Sequence, residues 1–207
     1  MKFWSLLLLF LLLATPAEAL EKTFREQCKA AGVPKDLAIA IARQESALNP
    51  LCINIEGEDY WPKTRAEAEK LIRTAQQKDQ SYDVGLMQIN SQWIKQWKID
   101  PVSLLAPDTN IRYGLRILKM EIQKYGMNWR AIGGYHSPNP ERARRYAAQV
   151  YGRMKMGPVF RAMLSNPRLN RNHPALARKL KNFRSTYAAD STLMKQLDSQ
   201  RKPVGLN

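Results

Sequence analysis

The chain is poor in the residues that build metal and redox sites. Its 207 residues include only two cysteines and two histidines. Cys28 and Cys52 lack CxxC spacing, and His136 and His173 lie far apart, so no zinc cluster is indicated. There is no glycine-rich phosphate loop and no internal repeat. Acid is scarce too: 18 Asp and Glu face 33 Lys and Arg, a net charge of +15. Such an excess favours a polyanionic partner, whether cell-wall polymer, anionic lipid or nucleic acid, without choosing among them. The excess is uneven, because residues 153–207 hold twelve Lys or Arg against Asp190 and Asp198. No recognisable nucleic-acid motif accompanies the charge, so nucleic acid is not the expected partner.

Long apolar runs are also missing, with one exception at the start. "MKFWSLLLLFLLLATPAEAL" has one lysine, a leucine-rich run, Pro16, and small residues at the −3 and −1 positions of a cleavage site after Ala19. This is the anatomy of a secretory signal peptide over residues 1–19, with an uncleaved anchor as its rival. The run is short for a membrane-spanning helix. The expected product is a periplasmic protein starting at Leu20, with no membrane span after cleavage. In an exported chain the even pair Cys28 and Cys52 reads as one disulfide, with two buried free thiols as the alternative.

The rest reads as mainly helical. "EKTFREQCKAAG" places Phe24, Cys28 and Ala31 on one face and stops at Gly32. "VPKDLAIAIARQESAL" starts near Pro34, with Leu37, Ala38, Ile41 and Leu48 as its apolar face. "CINIEGEDYWPKT" is a loop or short hairpin. Thr64 and Glu67 form a capping box for the next helix. A helix carries Trp93 and Trp97, a longer one ends at Gly126, and Asn128 caps another. "NPERARRYAAQVYGRM" is the last helix of a core spanning residues 20–156. Residues 157–207 form a basic extension, partly helical or disordered.

Glu45 follows Ile41 by four residues and Ala38 by seven, which puts it on the inward face of its helix. Charged residues seldom go inside without a task or a partner. Beside apolar walls the neutral carboxyl is favoured, which suits a general acid near neutral pH. The ordinary alternative is a helix-end glutamate paired with Arg43 or a nearby lysine.

"ARQESALNP", then "DVGLMQIN", then "AIGGYHSPNPERARRYAAQV" together resemble the soluble lytic murein transglycosylase family, relatives of goose-type lysozyme. The likeness covers residues 24–155 and is nearest to the members that accompany conjugation and type IV secretion machinery, whose insert is similar to "DYWPKT". It implies an all-α, lysozyme-like domain with Glu45 as catalytic acid. Ser46, Gln88, Asn90, Tyr135 and Tyr146 become substrate-side residues, and neither metal nor cofactor is required. By resemblance Tyr135 would hold the catalytic carboxyl, and Tyr146 would contact substrate or Glu45. For Ser46 a helix-terminal cap is the alternative; for Tyr146 it is core packing. Gln88 and Asn90 are neutral amides suited to sugar hydroxyls and N-acetyl groups. His136, Ser137 and Pro138 stand where the family usually has Asn-Ala-Gly.

The resemblance implies a reaction that needs one carboxyl. Glu45 would protonate the oxygen between N-acetylmuramic acid and N-acetylglucosamine, then accept the proton of the muramic C6 hydroxyl as it closes on C1. Asp83 is the best second carboxylate and is expected to brace the turn. Rival readings are a water-using muramidase and a peptidoglycan-binding assembly factor that docks to a machine subunit through the basic tail.

Overall fold

The computed structural model describes residues 15–154. Its first helix, α1 (Pro16–Ala31), begins five residues upstream of the expected one. Pro16 fits at the first helical position, where an N–H has no partner to lose. Thr15 and Glu18 close a reciprocal capping box. Gly32 ends the helix in the left-handed region, with φ 68°. α2 (Lys35–Ser46) is the central helix, and every residue from Leu37 to Ala42 is buried. It ends earlier than its apolar pattern implies: Ala47 and Leu48 both take positive φ, so Leu48 lies past the helix rather than on its face.

Two hairpins build a small antiparallel sheet of order β2-β1-β3-β4. Its strands are β1 (Ile53–Ile55), β2 (Glu58–Tyr60), β3 (Tyr82–Val84) and β4 (Ile89–Asn90). Ile53 pairs with Tyr60 on one side and Val84 on the other, and Val84 pairs with Ile89. α3 (Arg65–Gln77) connects the hairpins. Thr64 accepts from the Glu67 amide, but the Glu67 carboxylate bonds the amide of Lys63 rather than that of Thr64, so the expected capping box is only half closed.

α4 (Ser91–Trp97) starts from Asn90, whose side chain caps it. A 3-10 turn (Pro101–Leu105) leads into α5 (Pro107–Tyr125), which ends at Gly126. α6 (Trp129–His136) is capped by Asn128 and α7 (Pro140–Arg153) by Asn139. α6 packs along α7, α5 packs on α1 and α6, and α2 packs on α7. The fold is mainly α and lysozyme-like. Among the described residues no helix is long and apolar enough to cross a membrane.

The expected disulfide is absent. Cys28 and Cys52 are both free and buried. Their surroundings differ. Cys28 sits on the core face of α1 and feels Lys35, whereas Cys52 lies in the field of Asp59, Glu45 and Asp83. The counting argument paired them because there were two; it carried no information on where each sulfur faces. The basic extension 157–207 and the apolar run of the leader lie outside the described residues.

Candidate active site

Residues 81–90 form the β3–β4 hairpin, and its turn is held in an unusual way. Four consecutive carbonyls each accept from a different side chain. Asn110 Nδ2 donates to Val84 O at 2.8 Å, Gln88 Nε2 to Gly85 O at 2.8 Å, Ser46 Oγ to Leu86 O at 2.9 Å, and the Tyr135 hydroxyl to Met87 O at 2.6 Å. Asn110 also accepts from the Met87 amide at 2.7 Å. Leu86, Met87 and Ile89 are fully buried, so these bonds replace water that the turn cannot reach. Gly85 is required twice. Its φ is +80°, and an added Cβ would lie 2.3 Å from Asn110 Nδ2.

Glu45, in the last turn of α2, lies beside this turn and opens into a cleft of about 1130 Å³. Asp83, Gln88, Asn90 and Tyr135 line the same cleft. Tyr146, buried on α7, donates its hydroxyl proton to Glu45 Oε1. Burial pushes the Glu45 carboxyl up to about 8; the Tyr146 bond opposes the rise, while Asp83 and Asp59 reinforce it. Glu45 is therefore largely protonated at neutral pH, the form a general acid needs. Burial raises Asp83 as well, against the bond it accepts from Asn90 Nδ2 at 2.9 Å. Burial and the neighbouring Glu45 hold Tyr135 and Tyr146 well above the ordinary phenol range.

Ser46, Gln88 and Tyr135 are thus engaged with the turn, and the bond to the acid comes from Tyr146 rather than Tyr135. Gln88 lines the cleft and spends its amide nitrogen on Gly85 O and Cys52 O. Asn90 gives its nitrogen to Asp83 and its oxygen to the Gln92 amide. His136 stacks on Tyr146, with ring centroids 4.7 Å apart and planes 3° from parallel. Burial and the charge on Arg142 lower its pKa. Trp93 lines the cleft and stacks on Trp97 at 4.8 Å, whereas Trp61 is exposed and lies outside the lining.

The sequence reading missed Asn110 and Asp59. Asn110 directly precedes Ile111, at the start of the apolar pattern of α5, and the sequence offered only that position as a signal; its burial emerges from the structure. Asp59 lies in a strand with no exposed–buried alternation to single it out. Among the described residues, no group of three His, Cys, Asp or Glu side chains could hold a metal ion.

Known proteins give the same picture. Residues 22–155 match the transglycosylase SLT domain family. Invasion protein IagB of Salmonella typhi is 30% identical over 146 residues, 67% of this chain and 78% of the relative. Protein virB1 of Agrobacterium fabrum is 33% identical over 97 residues, 46% of this chain and 39% of the relative. A peptidoglycan-binding-like protein of Escherichia coli O157:H7 is 28% identical over 160 residues, 72% of this chain and 86% of the relative. No solved structure gives a significant match. A half-buried, proton-holding glutamate beside a clamped Gly-Leu-Met-Gln-Ile-Asn turn sits within the matched span, and the chain belongs to the transglycosylase SLT family of lytic transglycosylases.

Proposed function

We propose that this enzyme is exported to the periplasm and cleaves the β-1,4 bond between N-acetylmuramic acid and N-acetylglucosamine, leaving a 1,6-anhydromuramic end. The observation that carries the reading is Glu45: one carboxyl, raised to about 8 and oriented by Tyr146, in a cleft large enough for a glycan strand. The protonated carboxyl gives its proton to the glycosidic oxygen as the C1–O bond breaks. The resulting carboxylate takes the proton of the muramic C6 hydroxyl while that oxygen bonds to C1. Glu45 ends as it began, protonated, and no water is consumed. The name of the E. coli relative supports peptidoglycan as substrate.

Digestion of purified peptidoglycan by wild type and Glu45→Gln, with products read by mass spectrometry, tests this. Anhydro-muropeptides from wild type alone are expected. Asp83 supports a second reading, because its carboxylate is half-buried and close enough to raise Glu45. Were it the base for a hydrolytic water, products would carry reducing ends and Asp83→Asn would abolish them. Binding without products from wild type would favour the assembly-factor reading instead.

The biological task we assign is local opening of the wall for a secretion or conjugation apparatus. The "DYWPKT" insert and the likeness to an invasion protein support it. Signal cleavage after Ala19 and docking of the basic extension 157–207 to a machine subunit or to anionic wall belong to the same proposal. Truncation after Met156 is expected to leave cleavage intact and weaken association with wall or apparatus. An unchanged association would remove the docking role.

A further inference from the structure

The proton that Tyr146 donates to Glu45 has a direction, and the tyrosine's own torsions do not set it. A phenol O–H lies in the plane of its ring, because conjugation of the oxygen with the ring favours that arrangement. The ring plane therefore decides where the proton points. The torsion that orients this plane is broad and roughly two-fold, so it leaves the plane loose unless a neighbour holds it.

Two rings of α6 lie beside Tyr146. The His136 imidazole is 4.7 Å away between centroids and 3° from parallel, and the Tyr135 ring is 6.4 Å away at 20°. The imidazole is thus the nearer and the better aligned face. The approach of the two helices prepares this contact. Gly133 and Ala143 stand three residues before His136 and Tyr146. A Cβ added to Gly133 would lie 2.4 Å from Ala143 O, so glycine is what lets α6 come this close to α7. The link between the helices is pinned as well. Ser137 N donates to Gly133 O at 3.2 Å, Asn139 N donates to Ser137 Oγ at 3.2 Å, and the Asn139 side chain caps α7. Burial and Arg142 favour the neutral imidazole, which brings no charge to the acid. His136 also stands where the family usually has asparagine, a side chain with no ring to lay on the phenol.

Resting on the proposed reaction at Glu45, we infer that His136 is a positioning residue: its imidazole face fixes the plane of the Tyr146 ring and so aims the phenol at the Glu45 carboxyl. The imidazole lines the cleft, yet its contribution is to turnover rather than to substrate binding.

Kinetics on solubilised glycan strands test this with His136→Ala, His136→Phe, Tyr146→Phe and the double variant His136→Ala/Tyr146→Phe. His136→Ala should lower kcat about fivefold at unchanged KM, less than the loss from removing the hydroxyl itself. His136→Phe keeps a flat ring and should recover most of that loss. Once Tyr146→Phe has removed the hydroxyl, nothing is left to aim, and adding His136→Ala should change kcat by less than about 1.5-fold. A raised KM at unchanged kcat would make His136 a substrate contact and overturn the inference. Losses that multiply in the double variant would overturn it too, because general loosening of the cleft gives that result. A second arm needs no turnover: carbon NMR follows the titration of the Glu45 carboxyl. The Tyr146 bond lowers that pKa. His136→Ala should therefore move the titration to higher pH, in the same sense as Tyr146→Phe and by less. A titration that stayed or fell would overturn the inference. Absence of cleavage by wild type would sink the proposed reaction, and the NMR arm would still decide the role of His136.

Discussion

Tyr146 and Glu45, 101 residues apart in sequence, share a hydrogen bond in which the phenol donates to the carboxyl. The bond favours the ionised acid, while burial favours the neutral one, and burial dominates. Tyr146→Phe removes the part that lowers the pKa. The alkaline limb of the kcat/KM profile, near pH 8 in wild type, should move to higher pH. The rate should fall by about tenfold as the carboxyl loses its orientation, a fraction of the roughly 10²–10⁴-fold that a positioned acid supplies. A limb that moved down, or stayed, would contradict this account of the pair.

Glu45 also bears on stability. Its folded-state pKa lies above the unfolded value, so the native state holds a proton that the unfolded chain has released. The stability this proton confers is complete below about 4.5 and is lost as pH rises through about 8. Glu45→Gln has no proton to lose. The variant and wild type should therefore melt together at pH 4 and diverge above it, the variant gaining about 2 kcal/mol by pH 8.5, a figure reduced for the part of the carboxyl that faces water. Urea melts at both pH values check this, and a constant difference across the range would refute it.

Asn110 should matter more than its absence from the catalytic motifs suggests. It makes three buried hydrogen bonds to the backbone at Val84, Met87 and Leu104. Asn110→Ala leaves those groups without partners, at a cost of about 3 kcal/mol. Activity at 25 °C should fall alongside, because the turn beside Glu45 loosens. Retention of both melting temperature and rate would show that the turn holds itself.

The thiols give a direct check on the covalent state. Burial pushes Cys28 up to about 11, and burial with the nearby carboxylates pushes Cys52 up to about 12. Both should resist maleimide in native protein, and both should label after denaturation without reductant. Labelling that appeared only after reduction would restore the disulfide.

The sequence was most legible where a local rule decides local structure. Gly32 and Gly126 stop helices because they accept backbone angles that other residues resist. Thr64 and Asn128 cap helices because their oxygens reach amides three residues on. The inward direction of Glu45 came from periodicity alone. What escaped was every decision made across the chain. The resemblance gave the carboxyl to Tyr135 and left Tyr146 between substrate and Glu45, and only the packing of α6 and α7 assigns Tyr135 to Met87 and Tyr146 to Glu45. Gln88 and Asn90 looked like sugar ligands, yet the spacing of the hairpin turns their amide nitrogens onto their own neighbours. Helix α2 ended early for a similar reason: Leu48 continues the apolar pattern, but the chain must swing round to feed β1.

The clamped turn has an evolutionary corollary. With the four carbonyls from Val84 to Met87 occupied by side chains of α2, α5, α6 and the turn itself, any single apolar replacement among Ser46, Gln88, Asn110 and Tyr135 leaves one of them without its partner. Divergence within this architecture is therefore channelled outward. The exposed aromatics Tyr60 and Trp61 take part in none of these four bonds, so replacements there leave the turn intact. A change of ligand preference is therefore expected at such exposed positions before it is expected in the turn.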